Sequence, residues 1–299
     1  MSMLNSWQRN VSLAPLTTLG IGGPADYFVE AHSLDELADA VRQAKETGMP
    51  YFVLGTGANL LIGDGGFRGL VIHNRAESFE FNGNKLRSDS GAVIADLINA
   101  SLDKKLSGLE HFVGIPSSVG GALWQNLHFL APDRQSTLFI ETVLSSARIL
   151  DENLQIHEVA AEFFQFGYDE SILRHKPIIV LEATFQLTLA NSEDIQKQMY
   201  ANMQWRRQRQ PQLDEFPSCG SVFKKISGVG AGRLIEEAGL KGHRIGDAQI
   251  SDKHANYIVN LGSAKAADVC GLLRLVQDSV SDNSGYGLEP EISFMGEFT

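Results

Sequence analysis

The chain has 299 residues, 43% hydrophobic and 20% charged, the proportions of an ordinary globular protein rather than of a disordered, collagenous or membrane-embedded one. That length suggests two domains or three small ones. Lys and Arg number 25 against 36 Asp and Glu, a net charge of −11 that repels phosphate backbones and anionic lipid, so neither nucleic acid nor a membrane is an expected partner.

From the N-terminus, MSMLNSWQRNVSLAPL lacks the pattern of a secretory signal, and the two cysteines, Cys219 and Cys270, are too few for a disulfide framework; a reducing, cytoplasmic setting is expected. Ala25–Glu30 reads as a strand. Ser33 and Glu36 form a capping box for a helix over 34–47 that Gly48 stops, and a strand over 51–54 runs into Gly55-Thr56-Gly57-Ala58-Asn59-Leu60-Leu61. A strand over 70–73 closes this first part, and a second domain starts near Phe79, where Asn82-Gly83 marks a hairpin turn. Further elements are a helix over 93–104, strands over 142–150 and 178–187, and a helix over 191–209 that ends at Gln210-Pro211. The segment QLDEFPSCGS reads as a loop at a second boundary, between 190 and 215. Helices over 232–238 and 266–281 and strands over 257–260 and 289–294 complete a third, α/β domain.

Four segments carry candidate chemistry. GTGANLL follows a strand, and its successive N–H groups suit a pyrophosphate; it lacks the spacing of a dinucleotide fingerprint and the lysine of a P-loop, and a plain tight turn is the alternative. Gly114-Ile115-Pro116-Ser117-Ser118-Val119-Gly120-Gly121-Ala122 sets two hydroxyls among permissive glycines. Together the two loops suit one elongated ligand. Gln125 and Asn126 could meet a ring edge or satisfy backbone groups. In Pro217-Ser218-Cys219-Gly220-Ser221-Val222-Phe223-Lys224-Lys225, Ser221 stands near two lysines but not in a GxSxG elbow; its hydroxyl could deliver a proton if its surroundings supply a replacement. Glu289 and Glu291 flank Pro290 and, on a strand, face opposite ways. Arg206, Arg207 and Arg209 form a basic knot, either a solvated helix end or a diphosphate contact. The eight histidines form no HxxxH or HExxH pair, so no metal site is expected.

In order, these segments resemble the UDP-N-acetylenolpyruvoylglucosamine reductase (MurB) family, of the shorter type without a long insertion in the last domain: TTLGIGGPADYF, LGTGANLLIGDGGFRGLVI, GLEHFVGIPSSVGGALWQN, RRQRQPQLDEFPSCGSVFKK, AGRLIEEAGLKGHRIGDAQISDKHANYIVN and GLEPEI. The resemblance implies an α+β, three-domain flavoenzyme. Residues 1–78 and 79–205 would form a two-part FAD-binding fold of the vanillyl-alcohol-oxidase type, and 206–299 a substrate-binding domain. It implies FAD as cofactor, NADPH as reductant and a UDP-sugar substrate, with the protein acting as a monomer. The chemistry implied is hydride transfer to the enolpyruvyl double bond followed by protonation to UDP-N-acetylmuramate. By motif, Ser221 falls on the family's proton donor and Glu291 on its catalytic glutamate. Gly55 to Leu61, Pro116 to Gly121, Gln125 and Asn126 fall on the FAD contacts, and Lys225, His254 and Tyr168 on the substrate's.

Two departures stand out. The family's catalytic arginine, in a tyrosine-arginine-x-serine motif, is here Asp169 in Tyr168-Asp169-Glu170-Ser171, and loss of one such donor costs about 10²- to 10³-fold in rate. Arg174 is five residues on, on the wrong side of a strand or helix to replace it directly. The small residues that commonly follow the asparagine are replaced by Leu127-His128-Phe129-Leu130-Ala131-Pro132, which brings His128 and Arg134 as candidates for the site, a surface position being the simpler reading. A working reductase with a rearranged site is therefore expected. The alternative is a diverged flavoprotein with another substrate or a non-catalytic binding role.

Overall fold

The computed structural model describes residues 7–226 and 228–298. In chain order the elements are β1 (Gln8–Ser12), β2 (Pro24–Ala31), α1 (Leu34–Glu46), β3 (Tyr51–Leu54), β4 (Leu60–Ile62), β5 (Phe67–Asn74), β6 (Phe79–Asn82), β7 (Lys85–Asp89), α2 (Ile94–Asp103), β8 (Leu106–Ser107), α3 (Val119–Trp124), β9 (His128–Leu130), β10 (Thr137–Phe139), β11 (Leu144–Leu150) and β12 (Ile156–Ala160). They continue as β13 (Ile179–Gln186), β14 (Thr188–Leu189), α4 (Ser192–Arg209), β15 (Ser218–Ser221), α5 (Ala231–Glu237), β16 (Arg244–Ile245), β17 (Ala248–Ile250), β18 (Tyr257–Asn260), α6 (Ala266–Ser284) and β19 (Ser293–Met295). Of the described residues, 29–56 and 72–205 form one compact unit, and 7–28, 57–71 and 206–298 a second.

The first unit is built on an antiparallel sheet of order β12-β11-β13-β7-β6. Asn82 pairs with Lys85 across the turn read from the sequence, with Gly83 at φ +61°. Helix α1 starts where expected: Ser33 accepts the Glu36 amide, and Glu36 reaches back to the His32 amide at 2.7 Å, one residue before the cap. Its buried residues Leu37, Ala40, Val41 and Ala44 have the i, i+3, i+4, i+7 spacing of a helix lying on a sheet. Phe112, Phe164 and Phe185, each 1% exposed or less, fill the core between sheet and helices and stabilise it by about 1.5–3 kcal/mol apiece.

The second unit carries the antiparallel sheet β15-β18-β17-β16 against α5 and α6. Helix α6 buries Val269, Leu272, Leu273, Val276 and Val280, and its first free N–H groups, those of Ala266 and Ala267, are taken by the Asp64 carboxylate at 2.9 and 3.0 Å. Gly285 ends it at φ +73°. Two expectations are corrected here. Ser218–Ser221, read as loop, is a strand because β18 offers it a ladder; and 289–294 is not one strand, since Ser293–Met295 pairs in parallel with β4 while Pro290 makes a single antiparallel bridge to Phe223. Proline at 290 lacks an N–H for a longer ladder.

Candidate active site

In the second unit, β15 meets β18 with Ser218 opposite Val259 but Ser221 opposite Tyr257, so three residue steps on one strand face two on the other. This is a bulge, with Gly220 at φ +82°, a value glycine adopts without strain. The bulge places Ser221 across the ladder from Tyr257, and the Ser221 side chain lowers the Tyr257 hydroxyl against the rise that burial gives it. Asn256, buried, then zips the chain beyond the serine: its side chain accepts the Phe223 N–H at 3.0 Å and donates to the Phe223 carbonyl at 2.8 Å.

The GLEPE segment runs beside this strand. The Glu291 amide donates to the Val222 carbonyl at 2.9 Å, and that of Lys224 to the Glu289 carbonyl at 2.9 Å. Glu289 is exposed, with its carboxylate 3.4 Å from Lys224 Nζ, while Glu291 is half-buried. So the two carboxylates separate as the alternation suggests, though outside a strand. Asn59 of the first glycine loop ties in here, its amide 3.4 Å from the Glu291 carbonyl.

Burial sets the protonation of this neighbourhood. It pushes the Cys219 thiol up to about 12, so a nucleophilic thiolate is not on offer. It raises the Tyr257 hydroxyl, an effect that the charge of Arg206 opposes, and it lowers the guanidinium of Arg206. His254 is lowered by desolvation first and then by Lys241; its Nδ1 accepts the Asn256 N–H at 3.2 Å, and its ring meets that of Tyr257 edge-on at 5.0 Å. Lys225 is exposed. Of the basic knot, Arg206 is half-buried, whereas Arg207 pairs with Asp214 at 3.3 Å in the open.

The glycine loops differ in why they need glycine. At Gly57, φ is +61° and a Cβ would overlap the Leu16 carbonyl, so that glycine serves packing within its own unit. At Gly55, in the other unit, a Cβ would overlap Ser118 Oγ: the first loop's opening residue lies directly against the second loop. Ser117 and Ser118 are buried, Pro116, Gly120 and Gly121 half-buried, and Ser118 Oγ accepts the Gly121 amide at 3.2 Å. Among the described residues, the amides of Thr56, Ala58, Ser117 and Ser118 donate to no protein acceptor. Unclaimed N–H groups and a glycine cradle are the donor set a pyrophosphate takes, so the residues present fit an FAD diphosphate. Asn126 is different: fully buried at φ +52°, it donates to the Gly167 carbonyl at 3.1 Å and accepts the Glu141 amide at 3.4 Å, and so holds the turn before Tyr168.

That turn, closed by reciprocal hydrogen bonds between Gly167 and Glu170, holds Asp169 at φ +53° and 2% exposure, with Oδ1 3.7 Å from His128 Nδ1. Tyr168 is exposed and its ring lies 4.6 Å from that of His128. Arg174 is committed elsewhere, 3.9 Å from Glu170 and over the Trp124 ring, and Arg134 packs over Phe129 and Trp205. Sequence reasoning gave no role to Asn256 or Tyr257 and held His128 only as one option; the HANYIVN segment carried the first two, but nothing in it showed the register that sets Tyr257 beside Ser221.

The arrangement is that of a dinucleotide-binding flavoprotein fold followed by a separate substrate domain. Residues 25–157 match the sequence family described as FAD binding domain, and 210–295 that described as UDP-N-acetylenolpyruvoylglucosamine reductase, C-terminal domain. The chain is 42% identical to UDP-N-acetylenolpyruvoylglucosamine reductase of Caldicellulosiruptor bescii over 96% of its length and 90% of that protein's, and 39% identical to that of Halalkalibacterium halodurans over 96% and 94%. The crystal structure of the Thermus caldophilus reductase (MurB) superposes with a TM-score of 0.82 at 34% identity, covering 97% of this chain and 99% of that one. The chain belongs to the UDP-N-acetylenolpyruvoylglucosamine reductase family.

Proposed function

We propose that the protein is an FAD-containing oxidoreductase that uses NADPH to reduce UDP-N-acetylenolpyruvoylglucosamine to UDP-N-acetylmuramate, a step of peptidoglycan precursor synthesis. The observation that carries this reading is the bulge at Gly220 that sets Ser221 opposite Tyr257, next to a backbone hydrogen bond that ties the Glu291 amide to the Val222 carbonyl just beyond the serine. Similarity over almost the full length of reductases favours it over a diverged binding protein.

When bound, FAD supplies the redox chemistry, taking hydride from NADPH and giving it to the enolpyruvyl double bond. The amides of Thr56, Ser117 and Ser118 would hold the FAD diphosphate, supported by Gly55 and Pro116 to Gly121; Gly57, Ala58, Asn59, Leu60 and Leu61 carry the first loop into β4, and Gln125 and Asn126 follow α3 as further FAD contacts. Ser221 gives its proton to the substrate carbon, and Glu291 orients the reacting group. Lys225, His254 and Tyr168 contact the UDP-sugar. Asp169 takes the family arginine's position and holds His128. In this reading 1–78 and 79–205 serve FAD and 206–299 the substrate, and the protein acts as a monomer in the cytoplasm.

The test is NADPH oxidation by FAD-loaded protein with enolpyruvyl-UDP-GlcNAc. The expected result is turnover that depends on the sugar nucleotide; none above background at saturating substrate refutes the proposal.

A further inference from the structure

A serine that protonates a carbon must have its own proton replaced, and the structure sets one hydroxyl directly against it. Tyr257 is paired in register with Ser221 across β15 and β18 and is 5% exposed, so the two side chains leave the same face of the ladder. The other groups facing Tyr257 are poor sources of a proton. Cys219 is a buried thiol held protonated, His254 presents its ring with Nδ1 already accepting the Asn256 amide, Arg206 is a guanidinium, and Glu291 is a carboxylate.

We propose that Tyr257 re-supplies the proton of Ser221, as a positioning residue that acts through the serine. The proposal rests on the reductase reading above. As the Ser221 Oγ–H bond breaks and a C–H bond forms on the substrate carbon left electron-rich by hydride addition, the Tyr257 Oη–H bond breaks and its proton passes to Ser221 Oγ. A phenol is a stronger acid than an aliphatic alcohol, so this transfer runs downhill. The positive charge of Arg206 favours the phenolate formed, until solvent returns the proton. Burial, which raises the hydroxyl, keeps Tyr257 protonated and ready between turnovers.

Two experiments on the FAD-loaded full chain test this. In the wild type, the oxidative half-reaction (reoxidation of NADPH-reduced protein by enolpyruvyl-UDP-GlcNAc) is followed in mixtures of H2O and D2O; two protons moving together give a bowed dependence of rate on deuterium fraction, and a linear one overturns the proposal. Tyr257→Phe, which keeps the ring and removes one oxygen, is expected to slow that half-reaction by roughly 10²-fold, the low end for a positioned proton-transfer group. Flavin bleaching by NADPH provides the internal reference, and UDP-N-acetylmuramate binding, read from the flavin spectrum, is expected to hold. Ser221→Ala/Tyr257→Phe should be no slower than Ser221→Ala. Losses that multiply, or a Tyr257→Phe rate equal to wild type, overturn the relay. Failure of the wild type itself to be reoxidised by the substrate would instead remove the reductase reading.

Discussion

Gly55→Ala tests the glycine cradle most directly. Gly55 has an ordinary φ, so an alanine there would by itself stabilise the fold by about 0.4–1 kcal/mol through the unfolded chain. Against this, the new Cβ falls well inside the 3.0 Å that side chains do not cross from Ser118 Oγ, and 3.3 Å from Ser118 Cβ. Ser118 cannot swing away freely, because its Oγ caps the Gly121 amide at 3.2 Å and that cap contributes about 1 kcal/mol. Relief therefore costs the cap or displaces the loop that carries the unclaimed amides. The expectation is a net loss of about 1 kcal/mol, or about 2–4 °C in Tm for a unit of this size, together with reduced FAD content after purification. Gly55→Ala/Ser118→Ala removes the overlapping oxygen and should regain FAD while remaining as unstable as Ser118→Ala. Thermal unfolding and the ratio of flavin to protein absorbance measure both quantities. A Gly55→Ala protein with full FAD and an unchanged or raised Tm would refute the cradle.

Asp169→Arg, which restores the family residue, should lower reductase activity and Tm, because the slot is 2% exposed and already faces His128; a gain in rate would show the aspartate to be mere loss. Iodoacetamide on the native protein should label Cys270 before Cys219, whose thiol is pushed up to about 12, and mass spectrometry showing equal rates would contradict the burial argument. Burial lowers His111, so the unfolded chain takes up that proton first as pH falls through about 6.5; stability from this group is complete above that pH and declines below it, and His111→Gln should reduce the acid-side slope of urea-derived stability. Asn260→Ala should cost about 1–3 kcal/mol in urea unfolding, since it strips partners from the Leu19 carbonyl and the Gly262 and Ala264 amides; a change near zero would mean water replaces them.

Local signals were legible wherever one short segment dictates one geometry. Ser33 with Glu36, Asn82-Gly83 and Gly48 each set a backbone state by their own chemistry, and α1, the β6–β7 turn and the end of α1 fall where those residues place them. The strand at Ser218–Ser221 was not legible, because proline, cysteine and glycine carry no strand signal and its ladder comes from Tyr257–Asn260, some forty residues on. The same non-local pairing hid Tyr257. In the site, residue types announced Ser221 and Glu291, but burial and register decided which neighbours they received. Glycine at 55 and at 57 looked alike in sequence, and only their surroundings separate a contact with the second loop from packing against Leu16.

The two departures from the family pattern turn out to be one physical change. The altered segment after Asn126 folds as β9 and β10, with His128 paired to Phe139, and this ladder delivers His128 to within 3.7 Å of Asp169 and 4.6 Å, ring to ring, of Tyr168. Asn126 binds the segment to the turn through the Gly167 carbonyl. A site that had merely decayed would exchange arginine for aspartate without acquiring a base beside it, and it would have no reason to bury the new carboxylate. A buried carboxylate next to an imidazole holds that ring's orientation, so Asp169 and His128 form one local arrangement beside Tyr168. The two side chains should therefore behave as a unit: His128→Gln and Asp169→Asn should each lower reductase turnover, and the double variant should lose no more than the worse single one; losses that multiply would break the argument.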